Sequence, residues 1–248
     1  TDLNEYISPN AERLNFITNF SGSAGRAIIT PTDAFLYVDG RYTFQANTQI
    51  NAKEIQAKHL NNFWTDLEKI LLEEEYKIAL DPTLHSIIEI EKVEKMLENS
   101  TSQLQLIDKN FVDLIWENQP KTQYTDIFDH PTSFSGQSRS EKLDILKKFL
   151  DQNEIDHYFV SGLDNIAWLL NLRADDIKYT PLLYSYLLIS KNNKHSLYIK
   201  ESSMPEILKK EIQTLININN IESIGSIFNN INSSESIGLD LSLIHISE

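Results

Sequence analysis

The amino-acid sequence predicts an α/β fold made of two tandem related domains, each a mixed β-sheet flanked by helices. Three observations predict it. One pattern occurs twice: Arg13-Leu-Asn-Phe-Ile-Thr-Asn-Phe20, a Ser/Gly loop, Ala27-Ile-Ile-Thr30, a turn at Thr32-Asp33 and Leu36-Tyr-Val-Asp39. It returns as Asn165-Ile-Ala-Trp-Leu-Leu-Asn-Leu172, a polar loop, Tyr186-Leu-Leu-Ile-Ser190, a turn at Asn192-Asn193 and Ser196-Leu-Tyr-Ile199. A second echo pairs Lys77-Ile-Ala-Leu-Asp81 with Ser236-Ile-Gly-Leu-Asp240. The offsets at Asn19/Asn171, Ile29/Ile189, Tyr37/Tyr198 and Asp81/Asp240 are 152, 160, 161 and 159, so the anchors recur in one order at nearly one spacing. That is the signature of a duplicated domain. Third, short apolar runs alternate with helical periods, as an α/β sheet requires.

The elements follow in order. Pro9-Asn-Ala-Glu12 opens a helix running to Phe20, with Leu14, Ile17 and Phe20 on one face. Gly22 and Gly25 break it. Residues 27–30 and 34–38, joined through Thr30-Pro-Thr-Asp33, read as a hairpin. A helix over 42–50 and a short strand over 54–57 come next. Trp64, Leu67, Ile70 and Leu71 at helical spacing place an amphipathic helix over 63–72. A strand over 77–80 stops at Asp81-Pro82, followed by a helix over 85–98, a strand over 103–107 and a helical turn over 112–116. From 117 to 139 the sequence is rich in turn residues and carries no sustained apolar period. The predicted first domain is therefore 1–122, a linker covers 123–138, and the second domain is 139–248. The second domain opens on a helix over 140–152, headed by the capping box Ser138-Arg-Ser-Glu141. A strand over 156–160, a helix over 165–171, paired strands near 182–190 and 195–200, and a helix over 205–216 follow. A strand over 221–224, a helical turn over 226–230 and a strand over 237–241 close the pattern.

The two copies are not equally complete. The second has a helix and a strand (140–160) before its repeated core, where the first has about a dozen residues. The first continues past Asp81 through a helix and a strand, whereas the second stops eight residues after Asp240. The expectation is a fragment, with the first domain short of its opening helix and strand and the second truncated at its end. A sheet edge left open in this way exposes unpaired backbone groups.

Composition narrows the function. A formal charge of −14 argues against nucleic acid, which needs clustered Lys and Arg. No stretch approaches the roughly 20 apolar residues of a membrane span, and the acidic start has no apolar core of a signal peptide. Cysteine is absent, which removes disulfide and thiolate chemistry and fits a cytoplasmic location.

Asp39-Gly40-Arg41-Tyr42 is the leading candidate site. Gly40 permits a tight backbone at a strand's end, and a guanidinium there can fork onto a carboxylate or a carbonyl. The competing reading is a structural Arg41–Asp39 or interdomain salt bridge. Residues 21–25 (Ser-Gly-Ser-Ala-Gly) lack the lysine of a phosphate loop and lead from helix to strand, so they read as a structural turn. Ser23 has no nucleophile elbow around it. The six histidines, at 59, 85, 130, 157, 195 and 245, are scattered without metal-ligand spacing, and no metal site or catalytic residue is expected. Trp64, Trp116 and Trp168 sit in apolar helical patterns and are expected in the core. Glu73-Glu-Glu75 is expected to be a solvated helix end.

The run Asn19-Phe-Ser-Gly-Ser-Ala-Gly-Arg-Ala-Ile-Ile-Thr30 with Asp39-Gly-Arg-Tyr42 resembles the amino-terminal region of the Xaa-Pro aminopeptidases (aminopeptidase P). Leu163-Asp-Asn-Ile-Ala-Trp-Leu-Leu-Asn-Leu-Arg173 resembles their second domain. The resemblance covers nearly the whole chain. It implies two creatinase N-terminal-type domains that precede a pita-bread catalytic domain, and no such domain follows within these 248 residues. It also implies a parent enzyme that removes the first residue from peptides with proline second, through two divalent ions, usually manganese, held outside this segment. Arg41 would then confine or position the substrate peptide. The segment's partners would be its own pita-bread domain and further copies of the enzyme, with no catalysis of its own. Arg173, Asp175 and Asp176 parallel a stretch that faces the other domains, although the family's usual Arg-Gly is here Arg173-Ala174 and its Asn-Pro is Thr180-Pro181. The alternative is a binding module of a non-peptidase pita-bread relative. Sequence beyond Glu248 would separate the two, because only the peptidase carries metal-ligand carboxylates there.

Overall fold

The computed structural model describes residues 7–239, apart from 193 and 230. Asp240 and His245, the residue at 193 in the second hairpin turn, and the ends of the elements predicted over 226–230 and 237–241 lie outside the described residues. The chain divides into two compact units, Ser8–Lys121 and the residues from Thr122 onward.

Unit 1 runs α1 (Arg13–Thr18), β1 (Gly25–Ile29), β2 (Ala34–Val38), α2 (Thr43–Gln49), β3 (Gln56–His59), α3 (Phe63–Glu73), β4 (Lys77–Leu80), α4 (Ile87–Leu97), β5 (Gln103–Leu106) and α5 (Phe111–Ile115). β1 and β2 form an antiparallel hairpin with Gly25 opposite Val38, and β3 adds parallel to β2. β4 and β5 pair in parallel as a separate two-stranded sheet. Two apolar clusters hold the unit. One centres on Phe20, Leu36, Val38 and Ala46, the other on Leu67, Leu71 and Val93 between α3 and α4. Ser86 caps α4 through a full capping box with Glu89, whose carboxylate also meets Arg26.

Unit 2 runs β6 (Phe128–Asp129), α6 (Thr132–Ser135), α7 (Arg139–Gln152), β7 (His157–Val160), α8 (Leu163–Leu170), β8 (Leu172–Arg173), β9 (Tyr186–Ser190), β10 (Ser196–Ile199), α9 (Glu206–Ile212), β11 (Asn217–Asn220) and β12 (Ile237–Leu239). Five strands form one mixed sheet in the order β11-β10-β9-β7-β12, and β6 pairs with β8 beside it. Leu150, Ile166, Leu170, Leu187, Ile189 and Leu197 are almost fully buried between this sheet and α7, α8 and α9. Each contributes about 1.5–3 kcal/mol by leaving water.

The two units share a repeated core. α1 and α8 both end on an asparagine in the left-handed region, Asn19 at φ 61° and Asn171 at φ 51°. Asparagine tolerates that conformation and closes the last turn, so the matched pair is a shared C-cap. Each helix leads to an antiparallel hairpin, β1–β2 or β9–β10, then a 3-10 turn, a helix and a parallel strand. Both capping residues of the predicted box before α7 make their bonds.

Four sequence expectations are corrected. The strand expected over 221–224 lies at Asn217–Asn220, because parallel pairing with β10 sets Ser196 opposite Asn217, and residues 221–226 form a 3-10 helix. The strand expected over 54–57 lies two residues later, at the register β2 imposes. The segment expected as a plain linker carries β6 and α6, and Ile127 is buried in the unit 2 core. Trp168, expected in the core, is 56% exposed, because the buried face of α8 is Leu163, Ile166, Ala167 and Leu170.

Candidate functional site

β2 ends in unit 1 at Val38, and the chain turns at once into a 3-10 helix of Gly40, Arg41 and Tyr42. Asp39 caps that turn: its carboxylate accepts the Arg41 backbone N–H at 2.9 Å and the Arg41 Nε–H at 2.8 Å. The two contacts hold the Asp39 carboxyl below the usual aspartate range, and the same pairing raises Arg41. The Arg41 side chain is 77% exposed. Only Nε is engaged, and the terminal amino groups of the guanidinium have no partner among the described residues. Arg41 also lies 5.8 Å from the centre of the Tyr42 ring, close enough for a cation–π contact. Tyr42 Oη in turn lies 2.7 Å from Ser23 Oγ, and its ring packs edge-on against the buried Phe20. A Cβ on Gly40 would stand 3.4 Å from His59 Nε2, so the loop passes close over β3.

The result is a guanidinium steered by Asp39, braced by an aromatic ring and open to a ligand carboxylate or carbonyl. The repeat has no equivalent. The offset of 161 at Tyr37/Tyr198 places Ser202 where Arg41 stands, and the neighbouring Lys200 is paired with Glu222 at 2.8 Å. The Arg41 feature belongs to unit 1 alone.

Residues 21–25 form a packed turn. A Cβ on Gly22 would fall 2.2 Å from the Phe20 ring, and the Gln49 side chain holds Ser21 through its N–H at 3.0 Å and its hydroxyl at 2.9 Å. In unit 2, Arg173 donates to the Leu172 carbonyl at 2.9 Å and to the Ala167 carbonyl at 2.5 Å. Asp176 accepts from Thr125 N–H at 2.6 Å and from Tyr184 N–H at 2.9 Å. These side chains are engaged inside unit 2.

The histidines are dispersed. His59 is exposed, and His130 is half-buried and stacks on Phe134. His85 contacts the Asp81 carbonyl at 2.9 Å. His157 and His195 are buried on either side of Ser190: His157 Nδ1 lies 2.8 Å from its hydroxyl, and His195 Nδ1 accepts its N–H at 3.1 Å. Ser190 is 2% exposed in the middle of the sheet, out of a substrate's reach. Among the described residues, no group of three or more His, Asp or Glu side chains comes together to hold a metal ion. The described residues do not fit a two-metal centre.

Sequence reasoning missed three polar features. Arg139 is buried and bolts unit 2 together, with Nε on the Leu170 carbonyl at 2.9 Å and its amino groups on Asp129 and Glu211. Lys142, also buried, bonds the Trp168 carbonyl and Asn171 Oδ1, both at 2.7 Å, and burial lowers its pKa. Helical period hides both, because each projects from the buried side of α7. The third is a cleft of about 450 Å3 at the carboxyl ends of β4 and β5, where parallel strands commonly bind ligands. Four of its polar side chains are paired with one another, Arg13 to Asp113 through two contacts of 2.8 Å and Asn110 to Asp81 at 2.9 Å.

Two halves that repeat one α/β core define a tandem two-domain module. The chain belongs to the creatinase/prolidase N-terminal domain family, whose description matches residues 2–109 and again residues 118–245. It is 34% identical over 224 residues to a probable Xaa-Pro aminopeptidase P of Paracoccidioides brasiliensis, covering 89% of this chain and 36% of that protein. It is 35% identical over 209 residues to the corresponding protein of Neosartorya fischeri, covering 82% and 32%. The solved X-prolyl aminopeptidase of Caenorhabditis elegans, described as a cytosolic enzyme with a di-nuclear active site, superposes with a TM-score of 0.85 at 28% identity. That match covers 91% of this chain and 37% of the enzyme. The chain thus spans about a third of the length of the relatives it matches.

Proposed function

We propose that this chain is the non-catalytic amino-terminal part of a metal-dependent Xaa-Pro aminopeptidase, which releases the first residue from peptides with proline second. The joint match carries the reading. Both units fall in one domain family, and together they superpose on a single X-prolyl aminopeptidase over 91% of the chain. Two divalent ions, manganese in our reading, and the residues that bind them belong to the remaining two thirds of the enzyme. The role of this segment is to shape access to the pocket and to make contacts with the pita-bread domain and with further copies. A cytoplasmic location accords with the description of the Caenorhabditis elegans enzyme, and no helix among the described residues is long and apolar enough to cross a membrane.

Within this role Arg41 positions the peptide. Its exposed terminal amino groups can grip a carbonyl or carboxylate of the substrate while Asp39 fixes the approach. In the full-length enzyme, Arg41→Ala should lower kcat/KM about 10–100-fold, the equivalent of about 1.5–3 kcal/mol for a charged hydrogen bond. The loss should fall more on KM than on kcat, with the folded state intact. Unchanged kinetics would return Arg41 to a purely local role, capping the turn with Asp39.

A further inference from the structure

Polar contacts hold β12 to unit 2. Among the described residues, none of Ile237, Gly238 and Leu239 joins an apolar cluster, and Ile237 and Leu239 are exposed. The backbone pairs in parallel with β7, His157 opposite Ile237, and the His157 N–H donates to the Ser236 carbonyl at 3.0 Å. Parallel pairing returns the next bond from the Gly238 N–H to the His157 carbonyl. Asp156 holds Ser236 beside it, accepting its N–H at 2.8 Å and its hydroxyl at 3.1 Å. An element with so little buried apolar surface opens locally, and its polar contacts set how often.

One of those contacts is incomplete. His157 is buried, its Nδ1 lies 2.8 Å from the Ser190 hydroxyl, and its Nε2 has no hydrogen-bond partner among the described residues. A buried nitrogen left unpaired is costly. The group facing it is the Glu235 carboxylate, with Oε2 3.6 Å away, beyond hydrogen-bond length. The turn before β12 aims Glu235 there: its carboxylate accepts the Asn232 N–H at 2.9 Å, which, with the imidazole nearby, holds it below the usual glutamate range. The other charged groups around the ring have their own partners. Asp156 is paired with Lys191, which Asp151 and Glu235 also attract. Across Ser190, burial and then Lys147 disfavour a charge on His195.

We propose that His157 and Glu235 are a proton-operated latch on β12: the protonated ring donates from Nδ1 to Ser190 and from Nε2 to Glu235, and so draws the 232–236 turn and β12 onto β7. The neutral ring has a single N–H, which serves Ser190 or points at Glu235 but cannot do both. The imidazolium has two, and its bond to the carboxylate is charge-assisted and therefore shorter and stronger than a neutral one. Imidazole is the side chain whose charge changes between about pH 5 and 8, so β12 is held more firmly on the acid side of neutrality. Burial of neutral His195 acts in the opposite sense on the whole sheet. The latch is therefore read as a difference between β12 and β9.

The test is amide hydrogen exchange, read by NMR on the 248-residue protein at about pH 7.5 and about pH 5.5 and expressed as protection factors, which removes the pH dependence of the intrinsic rate. The reporter is the Gly238 amide, and the reference is Ile189 of β9, which pairs with Tyr158 on the other side of β7. The ratio of Gly238 to Ile189 protection should rise at least about fivefold on going to the lower pH. Glu235 is half-buried, and a glutamine there can still accept the Asn232 N–H, so Glu235→Gln should leave the fold intact. In that variant the ratio should agree within about twofold at the two pH values. The proposal is overturned if the parent ratio stays level or falls as the pH is lowered, or if Glu235→Gln keeps the rise.

Discussion

Replacing Gly22 with alanine asks whether residues 21–25 are a packed turn or an adaptable loop. A Cβ at position 22 would meet three atoms of the Phe20 ring at 2.2, 2.8 and 2.9 Å. Carbon atoms in contact normally stand about 3.5–4.0 Å apart, so ring or backbone must yield by more than about 1 Å. The ring has little room. Phe20 is 1% exposed, sits edge-on to Tyr42 at 5.8 Å and belongs to the cluster of Leu36, Val38 and Ala46. Overpacking of this kind costs about 1–3 kcal/mol. For a unit near 100 residues that lowers the unfolding midpoint by about 5–15 °C. Differential scanning calorimetry of Gly22→Ala reads the shift directly. Gly225→Ala is the control, because a Cβ there meets nothing within 4 Å, and its midpoint should hold or rise slightly. If Gly22→Ala melts with the parent protein, the packed-turn account of this loop fails.

Arg139→Lys should destabilise unit 2 by about 1–3 kcal/mol in chemical denaturation, because one ammonium cannot replace a guanidinium that contacts Leu170, Asp129 and Glu211 at once. A wild-type midpoint in that variant would show that the three contacts are not coupled. Asp156 is pulled down to about 2 by Lys191 and by the Ser236 N–H. The stability it contributes is therefore present above the ordinary aspartate value of 3.8 and lost as pH falls toward 2, and an NMR titration of its carboxyl with a midpoint near 3.8 would refute that. Burial holds His195 below the usual histidine value of 6.5, so it folds neutral and accepts the Ser190 N–H. Stability should be full above pH 6.5 and decline below it, as the unfolded chain takes up the proton; His195→Asn should flatten that slope, and an unchanged slope would assign it elsewhere.

The duplicated architecture was legible because its anchors are local. Alternating apolar runs flank short polar turns at β1–β2 and β9–β10, and an asparagine closes α1 and α8 alike. Strand position was less legible where pairing rather than hydrophobicity decides it. β11 holds one apolar residue, Ile218, and is placed by its register with β10, whereas the apolar Ile221 and Ile224 enter a 3-10 turn. β6 is too short to show a period, so its pairing with β8 was invisible. The buried Arg139 and Lys142 were hidden because charge in a helix reads as surface until the carbonyls of Leu170 and Trp168 supply partners. Arg41 was legible as a residue at a strand's end. Its pairing with Asp39 was the competing reading, and the 2.8 Å contact through Nε that leaves the side chain 77% exposed comes from the fold.

The central claim is that these two units support catalysis without performing it. The direct measurement is release of the first residue from an Xaa-Pro peptide by the purified 248-residue protein with added manganese, alongside its intact mass. The account predicts a mass near 28.6 kDa and no release above the buffer rate. Turnover by a chain of that mass would contradict it and place the catalytic centre within these two units.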